Sequence, residues 1–373
     1  MILAGGFGTR LRPLTYSRPK SILPVGPKPV LQYLIESLSK QGFDEIVITA
    51  NYLREQIENY FGNGSKFGVS LRYPREESPL GTAGSVKNAE KYLDETFAVI
   101  QGDSVTDINL AEQLAYHREK RSLVTLGVVP VEKPWRYGVV ELDEENKVID
   151  FKEKPSPKEC QSNLANTGMY FLEPDVLNLI PRNKPFDFAN DVFPLIIETG
   201  IPLYGFRAAG FWTDIGTVEG FLEASAWLLD KLGHSISRTA DVNRATIKGP
   251  VWIGDGTILE TDVRIQGPAF IEDSCTIGKG TQITPGTMLK RRVNVGENSR
   301  LDSAIVFGST EIHTRVSLSK CILDERCKIG SNTEIDSSAI IGAGCTLGEN
   351  VVIGPGVRLE PGLTVEQGKV IRT

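Results

Sequence analysis

The chain has 373 residues, 40% of them hydrophobic and 24% charged, a composition typical of a globular protein with more than one hydrophobic core. The net charge of -6 argues against nucleic acid as a partner, because nucleic-acid-binding proteins present basic surfaces. No apolar run approaches the roughly 20 residues that span a bilayer, and the N-terminus lacks the basic segment of a signal peptide, so we expect a cytoplasmic protein that binds no membrane.

A concentrated block of positive charge opens the chain, in residues 5–29. The block holds four glycines, five prolines, no acid, and five cations, which are Arg10, Arg12, Arg18, Lys20 and Lys28. Glycines let backbone N–H groups converge on an anion, and prolines fix the backbone that carries the cations. Because five unpaired cations repel one another unless an anion neutralises them, the block predicts a binding site for a small polyanion such as a nucleoside triphosphate.

Strands and helices alternate from residue 1 to about residue 235. Residues 44–51 and 97–103 have the apolar character of buried strands that end in polar loops, and residues 30–40 and 221–232 have the apolar stripe of amphipathic helices. This alternation predicts a mainly parallel sheet covered by helices. Such sheets bind ligands at the carboxyl ends of their strands.

Near residue 240 the chain changes character, and aliphatic residues begin to recur every six positions. Neither an α-helix nor a single strand has this period. Short strands joined by tight turns into a stacked triangular coil explain it, and about seven coils of three hexapeptides each are expected. One-residue slips interrupt the register twice. The 22 positions are Ile247, Ile253, Leu259, Ile265, Ile271, Ile277, Ile283, Leu289, Val295, Leu301, Val306, Ile312, Leu318, Leu323, Ile329, Ile335, Ile341, Leu347, Ile353, Leu359, Val365 and Ile371.

Four cysteines fit the same register, because each lies two residues before a periodic aliphatic residue: Cys275, Cys321, Cys327 and Cys345. Alternation along a strand then points their side chains inward. Cys327 and Cys345 are one coil apart and are expected to stack. Without a C-x-x-C motif or a histidine cluster, buried packing is favoured over a zinc site or a disulfide.

The opening block resembles the signature of the nucleotide-sugar pyrophosphorylases, also called sugar-1-phosphate nucleotidyltransferases. The matching stretches are "GFGTRLRPLT", "PKSILPV" and "KP". Further stretches resemble the base-recognition loop ("PLGTAGS"), the two metal-binding aspartates ("QGDS" and "FWTDIGT") and the sugar-binding strip ("YGVV", "EKP" and "NTGMY"). Many members carry a C-terminal left-handed hexapeptide β-helix, so the resemblance covers the whole chain. It implies a Rossmann-like α/β catalytic domain in residues 1–235 and a left-handed parallel β-helix in residues 240–373.

The resemblance also implies the site residues. The nucleotide would be bound by Leu3, Ala4, Gly5, Gly6, Gly8, Thr9, Arg10, Lys20, Gly81, Thr82 and Asp103. The sugar phosphate would be bound by Gly138, Glu153, Lys154, Asn166, Gly168 and Asp214. The catalytic residues would be Arg10, Lys20, Asp103 and Asp214, the two aspartates also holding Mg²⁺. The implied reaction joins a nucleoside triphosphate and a sugar 1-phosphate into a nucleotide sugar and releases pyrophosphate.

The "LGTAG" stretch and the hexapeptide tail together most resemble the mannose-1-phosphate guanylyltransferase branch, with thymidylyl- and uridylyltransferases for glucose 1-phosphate as the alternative. Two other classes stay open. One is a non-catalytic regulatory subunit, although such relatives have typically lost the catalytic residues that this chain retains. The other is a bifunctional enzyme that also transfers acetyl groups in the β-helix, with His313 as its base.

The β-helix is expected to assemble subunits rather than to catalyse, since solenoid ends expose unpaired edges that need covering. We therefore expect a homo-oligomer, a dimer or tetramer, with interfaces on the β-helix. On the same reasoning, a chain ending near residue 235 is expected to lose assembly and to retain some activity.

Overall fold

The computed structural model describes residues 1–372, and within them the helices and the strands that precede the repeats are as follows. The helices α1 to α6 are Val30–Lys40, Arg54–Phe61, Gly81–Asn88, Leu110–Lys120, Phe193–Glu198 and Val218–Leu232. The strands β1 to β13 are Ile2–Leu3, Pro24–Val25, Lys28–Pro29, Glu45–Thr49, Ser70–Arg72, Phe97–Gln101, Ser104–Thr106, Val124–Pro130, Gly138–Leu142, Val148–Glu153, Leu164–Leu172, Leu203–Arg207 and Trp212–Asp214. None of the helices in this part of the chain is long and apolar enough to cross a membrane.

The amphipathic pattern of residues 30–40 predicts α1 correctly. Its apolar stripe, Val30, Leu31, Leu34, Ile35 and Leu38, is buried. Burying one such side chain contributes roughly 1.5–3 kcal/mol, so packing of this stripe holds the helix more firmly than backbone propensity does.

Contacts divide the chain into two compact units. The first, here called the sheet unit, comprises Met1–Phe7 and Val30–Thr213. The second, the solenoid unit, comprises Gly8–Pro29 and the chain from Asp214 onward. The cationic block is thus grouped with the repeats, although it lies more than 200 residues before them. The linear division into residues 1–235 and 240–373 stays a prediction about functional domains.

The sheet unit contains a nine-stranded sheet with the order β10-β9-β11-β6-β1-β4-β5, and β8 pairs with β11 and with β12. The half from β6 to β5 is parallel, with Ile2 opposite Ile48 on one side and Ile100 on the other. The long strand β11 runs antiparallel to β6, β8 and β9. The parallel, Rossmann-like half that the alternating pattern predicts is confirmed, and the antiparallel half extends it.

The solenoid unit is built from 23 short strands, β14 to β36. They are Ser235–Ile236, Thr246–Lys248, Val251–Ile253, Ile258–Leu259, Arg264–Gln266, Ala269–Ile271, Thr276–Ile277, Gln282–Ile283, Met288–Leu289, Asn294–Val295, Arg300–Asp302, Ile305–Val306, Glu311–Ile312, Ser317–Ser319, Ile322–Leu323, Lys328–Ile329, Glu334–Ile335, Ile340–Ile341, Thr346–Leu347, Val352–Ile353, Arg358–Leu359, Thr364–Val365 and Val370–Ile371. They form three parallel sheets of eight, eight and seven strands. Three strands make one coil, so the solenoid has nearly eight coils, one more than the aliphatic pattern predicts. The additional strand, Ser235–Ile236, pairs with Trp252 and Ile253 and lies before the regular register begins.

The hexapeptide register is confirmed in detail. Twenty of the 22 aliphatic residues are buried in one continuous core, and the other two, Ile247 and Ile371, are partly buried against it. Most neighbouring coils pair residues 18 apart, as Ile265 pairs with Ile283. After the first slip the spacing falls to 17, as Leu289 pairs with Val306. The solenoid therefore absorbs each slip by shortening a corner, and the strands stay in register.

The inward cysteines are also confirmed. Cys275, Cys321, Cys327 and Cys345 are fully buried and unpaired as disulfides. Cys327 precedes Lys328 and Cys345 precedes Thr346, and those two residues pair across neighbouring coils. Burial raises the pKa of Cys327 to about 12 and that of Cys275 to about 11, so these thiols are neutral packing groups at physiological pH.

Candidate active site

The glycine-rich loop turns sharply at Gly8. This residue has φ 62°, in the left-handed region, and precedes the short 3-10 helix Thr9–Leu11. A Cβ atom at Gly8 would lie 2.9 Å from the Thr15 side chain and 3.3 Å from Lys20 Cβ, so only glycine fits without strain. The Gly8 carbonyl accepts hydrogen bonds from Leu11 N at 2.9 Å and from Thr15 Oγ1 at 2.9 Å. The loop is therefore held in one shape, with Lys20 beside its turn.

Arg10 and Asp214 converge on Gly216 within the solenoid unit. The Asp214 carboxylate accepts a 2.6 Å hydrogen bond from the Gly216 backbone N–H. A Cβ atom at Gly216 would lie 2.5 Å from Asp214 Oδ1 and 2.7 Å from Arg10 Nη2, so a side chain there would displace both groups. The structure thus brings together two of the four residues predicted to be catalytic, and adds Gly216 as the residue that leaves room for them.

The cations of the opening block do not all remain unpaired, as the charge argument assumed. Arg18 is only 16% exposed, and its guanidinium donates to Asp324 Oδ1 at 2.8 Å. Arg12 lies over the ring of Tyr16, with 5.3 Å from Cζ to the ring centroid. Arg18 is therefore neutralised by the protein itself, which corrects the prediction that all five cations face an anionic ligand.

In the sheet unit, the nucleotide-binding candidates lie at the carboxyl edge of the parallel strands. Leu3 ends β1 and is followed by Ala4, whose backbone N–H donates to the Thr49 carbonyl at 2.8 Å. Asp103 lies in the turn between β6 and β7, and Gly102 N donates to the Leu3 carbonyl at 2.8 Å. This edge is where parallel α/β sheets bind ligands. Gly5 follows Ala4 beside Asn51, and Gly6 is exposed.

The predicted base-recognition loop begins α3, with Gly81 as its first residue. The Thr82 hydroxyl donates to Asp187 Oδ2 at 2.6 Å and accepts from Phe188 N at 2.9 Å. Glu76 Oε1 accepts from Leu80 N at 2.8 Å and from Ser85 Oγ at 2.9 Å. Both sides of the loop are thus braced by carboxylates, and the hydroxyl of Thr82 is already used within the protein.

The predicted sugar-binding strip forms one cluster at the junction of β9, β10 and β11. Gly138 pairs with Glu153 across the β9–β10 ladder. A Cβ atom at Gly138 would lie 2.8 Å from Glu153 Oε2 and 3.4 Å from Asn166 Cβ. Asn166 Oδ1 accepts from Gly168 N at 3.1 Å, and Lys154 Nζ donates to Glu153 Oε1 at 2.7 Å. The five candidates of the sheet unit therefore lie together.

Two further groups shape this cluster. Asn166 Nδ2 donates at 2.9 Å to the hydroxyl oxygen of Tyr170, whose pKa is raised because the ring is buried. Tyr170 therefore stays neutral and fixes the orientation of the Asn166 amide. Gly168 packs so closely on Gln101, next to Asp103 in sequence, that a Cβ atom would lie 2.5 Å from Gln101 Cγ.

The structure adds residues that sequence reasoning did not single out: Glu76, Asp187 and Gly216. One of them had a usable signal. Asp187 directly precedes the turn of helix Phe188–Val192, and its carboxylate accepts from Ala189 N and Asn190 N as an N-cap. Gly216 lies inside the quoted "FWTDIGT" stretch, but its need for a missing side chain depends on Arg10, about 200 residues earlier. Glu76 has no local signal.

The donor chemistry of the predicted metal ligands suits Mg²⁺, which takes carboxylate oxygens together with water and phosphate oxygens. Among residues 1–372, no group of three or more His, Cys, Asp or Glu side chains is arranged to hold a metal ion. A magnesium ion that is bound largely by substrate phosphates requires only one or two protein carboxylates. Asp103 and Asp214 fit that requirement, whereas a permanent site with only protein ligands does not.

Comparison with known proteins identifies the family. The family described as nucleotidyl transferase matches residues 1–231, the GMPPB C-terminal domain matches residues 265–343, and the bacterial transferase hexapeptide (six repeats) matches residues 326–361. A UTP–glucose-1-phosphate uridylyltransferase of Synechocystis is 35% identical over 83% of this chain and 87% of its own length. A mannose-1-phosphate guanylyltransferase of Mycobacterium tuberculosis is 32% identical over 84% of this chain and 80% of its own length.

Among solved structures, HddC from Yersinia pseudotuberculosis complexed with GMP-PN matches with a TM-score of 0.54 and 28% identity. The match covers 61% of this chain and 97% of that one. The family match spans more than half of the 373 residues and includes both the glycine-rich loop and the predicted metal-binding aspartates. The chain therefore belongs to the nucleotidyl transferase family, in the branch of sugar-1-phosphate nucleotidyltransferases that its motifs resemble.

Proposed function

We propose that this protein joins GTP and mannose 1-phosphate to give GDP-mannose and pyrophosphate. The choice of substrates rests chiefly on the mycobacterial relative named mannose-1-phosphate guanylyltransferase, together with the match of residues 265–343 to the GMPPB C-terminal domain. The complex of HddC with GMP-PN, a guanine nucleotide, is consistent with this choice.

In the proposed reaction, an oxygen of the sugar phosphate attacks the α-phosphorus of GTP in line, the bond to the β-phosphate breaks, and pyrophosphate leaves. Arg10 and the backbone N–H groups of residues 6–8 hold the β- and γ-phosphates, for which the planar guanidinium of arginine is suited. Lys20 neutralises the charge that develops at the α-phosphate. The rigid turn at Gly8, beside Lys20, supports this assignment, because such catalysis depends on pre-positioned charge.

The remaining nucleotide contacts are proposed along the sheet edge, from Leu3, Ala4 and Gly5, and at the start of α3, from Gly81 and Thr82. Since the Thr82 hydroxyl is already bonded to Asp187, we propose that this residue acts through its backbone. Thr9, the first residue of the 3-10 helix, continues the phosphate loop.

The sugar phosphate is proposed to bind at the strip that Gly138, Glu153, Lys154, Asn166 and Gly168 form. Lys154 would bind the phosphate and Glu153 the sugar hydroxyls. In the absence of substrate these two side chains are paired at an exposed position, where such a pair contributes little stability. The pair can therefore open for substrate at small cost.

No general base is needed, because a phosphate monoester has its second pKa near about 6 and is largely dianionic at pH 7. Asp103 and Asp214 are proposed to hold Mg²⁺, with Asp214 also close to the sugar phosphate. When bound, the ion would supply neutralisation of the phosphate charges.

The alternative substrates are UTP or dTTP with glucose 1-phosphate, which the 35% identical uridylyltransferase of Synechocystis favours. A screen of four nucleoside triphosphates against mannose and glucose 1-phosphates, followed by pyrophosphate release, separates these cases. We expect the fastest release with GTP and mannose 1-phosphate. Fastest release with UTP or dTTP and glucose 1-phosphate would establish the alternative, and no release with any pair would refute the proposed reaction.

A second activity is favoured by one observation, the match of residues 326–361 to the bacterial transferase hexapeptide family. It would be acetyl transfer, with His313 as base. The His313 side chain is exposed, and its backbone N–H donates to the Ile329 carbonyl in the regular coil pattern. Incubation with acetyl-CoA and amino-sugar phosphates tests it, and we expect no acetylated product.

We also propose that the protein forms a homo-oligomer, a dimer or tetramer, through the solenoid. Exposed aliphatic residues on the solenoid support this proposal, namely Ile258, Leu363 and Val370. Light scattering at micromolar concentration tests it, and a monomer would contradict it. A cytoplasmic location is proposed because the reaction consumes a nucleoside triphosphate, which the cytoplasm supplies.

A further inference from the structure

One row of side chains on the solenoid differs from the rest of its surface. Each member directly follows a strand of the same eight-stranded sheet, and the row consists of Glu272, Lys290, Phe307 and Asp324. The spacings are 18, 17 and 17 residues. Leu289 pairs with Val306, and Val306 pairs with Leu323, so the next residue of each strand lies in one line. The two register slips therefore place Phe307 and Asp324 in line with Lys290.

Arg18 of the cationic block binds to this row. Its Nη2 donates to Asp324 Oδ1 at 2.8 Å, and Glu325 Oε1 lies 3.4 Å away. The guanidinium also lies over the Phe307 ring, 5.1 Å from the centroid. Asp324 is only 2% exposed, and it also accepts from Glu325 N at 2.8 Å. A buried, stacked and charge-assisted contact of this kind is a firm anchor for one point of the segment.

A second anchor lies eight residues further along, at Gly26. Lys290 Nζ donates to the Gly26 carbonyl at 2.9 Å and is itself paired with Glu272 Oε2 at 3.0 Å. The Gly26 N–H points at Met288 Sδ, 3.0 Å away, in a buried contact. The segment is thus fixed to neighbouring coils on both sides of Lys20, and its prolines limit how far the backbone between the anchors can move.

We propose that the row Glu272, Lys290, Phe307 and Asp324 positions the catalytic cations, with Arg18 and Asp324 as positioning residues for Lys20 and Arg10. This inference rests on the proposed function for the roles of those two cations. Displacement of a positioned group by about 1 Å can cost about a hundredfold in rate, so the anchors matter for turnover as well as for folding. The solenoid would then be required for catalysis, contrary to the expectation that a chain ending near residue 235 retains activity.

The direct test is Asp324→Asn, which removes the charge but keeps the shape. Asp273→Asn is a matched control, because Asp273 also accepts from an arginine Nη2 at 2.8 Å and from a backbone N–H at 3.0 Å, but its partners lie within the solenoid. We expect Asp324→Asn to lower kcat for pyrophosphate release about tenfold or more. We expect it also to speed amide hydrogen exchange in residues 8–29, with the melting temperature still showing a folded protein. The control should match the parent in kcat and in that exchange.

Arg18→Lys is the second variant, in case Asp324→Asn does not fold. It retains the positive charge but loses the planar guanidinium over Phe307, and a smaller loss of kcat with faster exchange in residues 8–29 is expected. Parental kcat and parental exchange in the folded variants would overturn the inference. If the unmodified protein releases no pyrophosphate, the proposed reaction has failed, and the exchange measurement alone then decides whether the row fixes the segment.

Discussion

The sheet unit and the solenoid unit achieve order in opposite ways. In the solenoid, each strand pairs with strands 17 or 18 residues away, so a six-residue pattern repeated along the chain is enough to specify the fold. In the sheet unit, β1 pairs with strands about 46 and 98 residues away, and neighbours in the sheet are seldom neighbours in sequence. The regular unit shows its fold openly, and its function is to be sought where the regularity breaks.

The most informative break is the pair of register slips. They shorten two coils and bring Phe307 and Asp324 into the row that binds Arg18. An unbroken 18-residue spacing from Lys290 would have placed Gly308 and Arg326 there instead. The segment bound by this row carries Arg10 and Lys20, so an irregularity of the repeat coincides with the cations assigned to the reaction.

The largest expected effect separates chemistry from packing in the sheet unit. Asp103→Ala should lower kcat by about a thousandfold or more, because the site loses a carboxylate that holds the metal ion. The side chain is half-buried in a turn rather than part of the core, so the free energy of unfolding should change little. Pyrophosphate release and urea unfolding measure the two quantities. Normal turnover with Mg²⁺ present would remove Asp103 from the metal site.

The next effect tests the solenoid's hold on the cationic segment. Arg18→Ala leaves the Asp324 carboxylate buried without its partner, and loss of one member of a buried pair costs about 3 to 5 kcal/mol of unfolding free energy. Urea unfolding at pH 7 measures it. A loss below about 1 kcal/mol, the usual value of an exposed pair, would show that the contact is of little structural importance.

The pH dependence of that variant has a definite sign. Burial raises the pKa of Asp324 above its ordinary value, and Arg18 opposes the rise. Removing Arg18 raises the pKa further, so the folded state binds a proton more tightly than the unfolded state. The stability lost through ionisation then grows as the pH rises from the unfolded pKa through the folded pKa. The deficit of Arg18→Ala relative to the parent should therefore shrink on acidification from pH 7, and a constant deficit would contradict this account.

Lys20→Ala should have a smaller effect than Asp103→Ala on turnover, about a hundredfold in kcat, the usual loss for one electrostatic stabiliser of a transition state. Its backbone should stay in place, since Arg18 and Gly26 anchor the segment on both sides. Unchanged hydrogen exchange in residues 8–29 would show this. A kcat within tenfold of the parent would contradict the role of Lys20.

How far sequence alone could go is clear from particular residues. The stripe of α1, the strand before Asp103, the inward cysteines and the aliphatic register all depend on local spacing, and all were predictable. Arg18 and Asp324 are 306 residues apart, and no local pattern connects them. The additional coil at Ser235–Ile236 was missed because it lies outside the regular six-residue register. The sites on either side of Gly216 were predictable as motifs, whereas the need for glycine there was not.

The smallest expected effect is in the solenoid core. Ile335 is 1% exposed, and Ile335→Val should cost about 1 kcal/mol of unfolding free energy through one lost methylene group. Because Ile335 lies away from the row that binds Arg18, kcat should stay within about twofold of the parent value, or about 0.4 kcal/mol. A tenfold fall in kcat would mean that the whole solenoid core, not the row alone, controls the catalytic segment.

The position of the bond that breaks in the nucleotide tests the central claim most directly. With GTP labelled at the α-phosphate and mannose 1-phosphate as acceptor, or with the pair that the substrate screen selects, the label should appear in the nucleotide sugar and not in pyrophosphate. With GTP labelled at the γ-phosphate, the label should appear in pyrophosphate alone. Transfer of the γ-label to the sugar phosphate, or its release as inorganic phosphate, would show a different reaction and contradict the account.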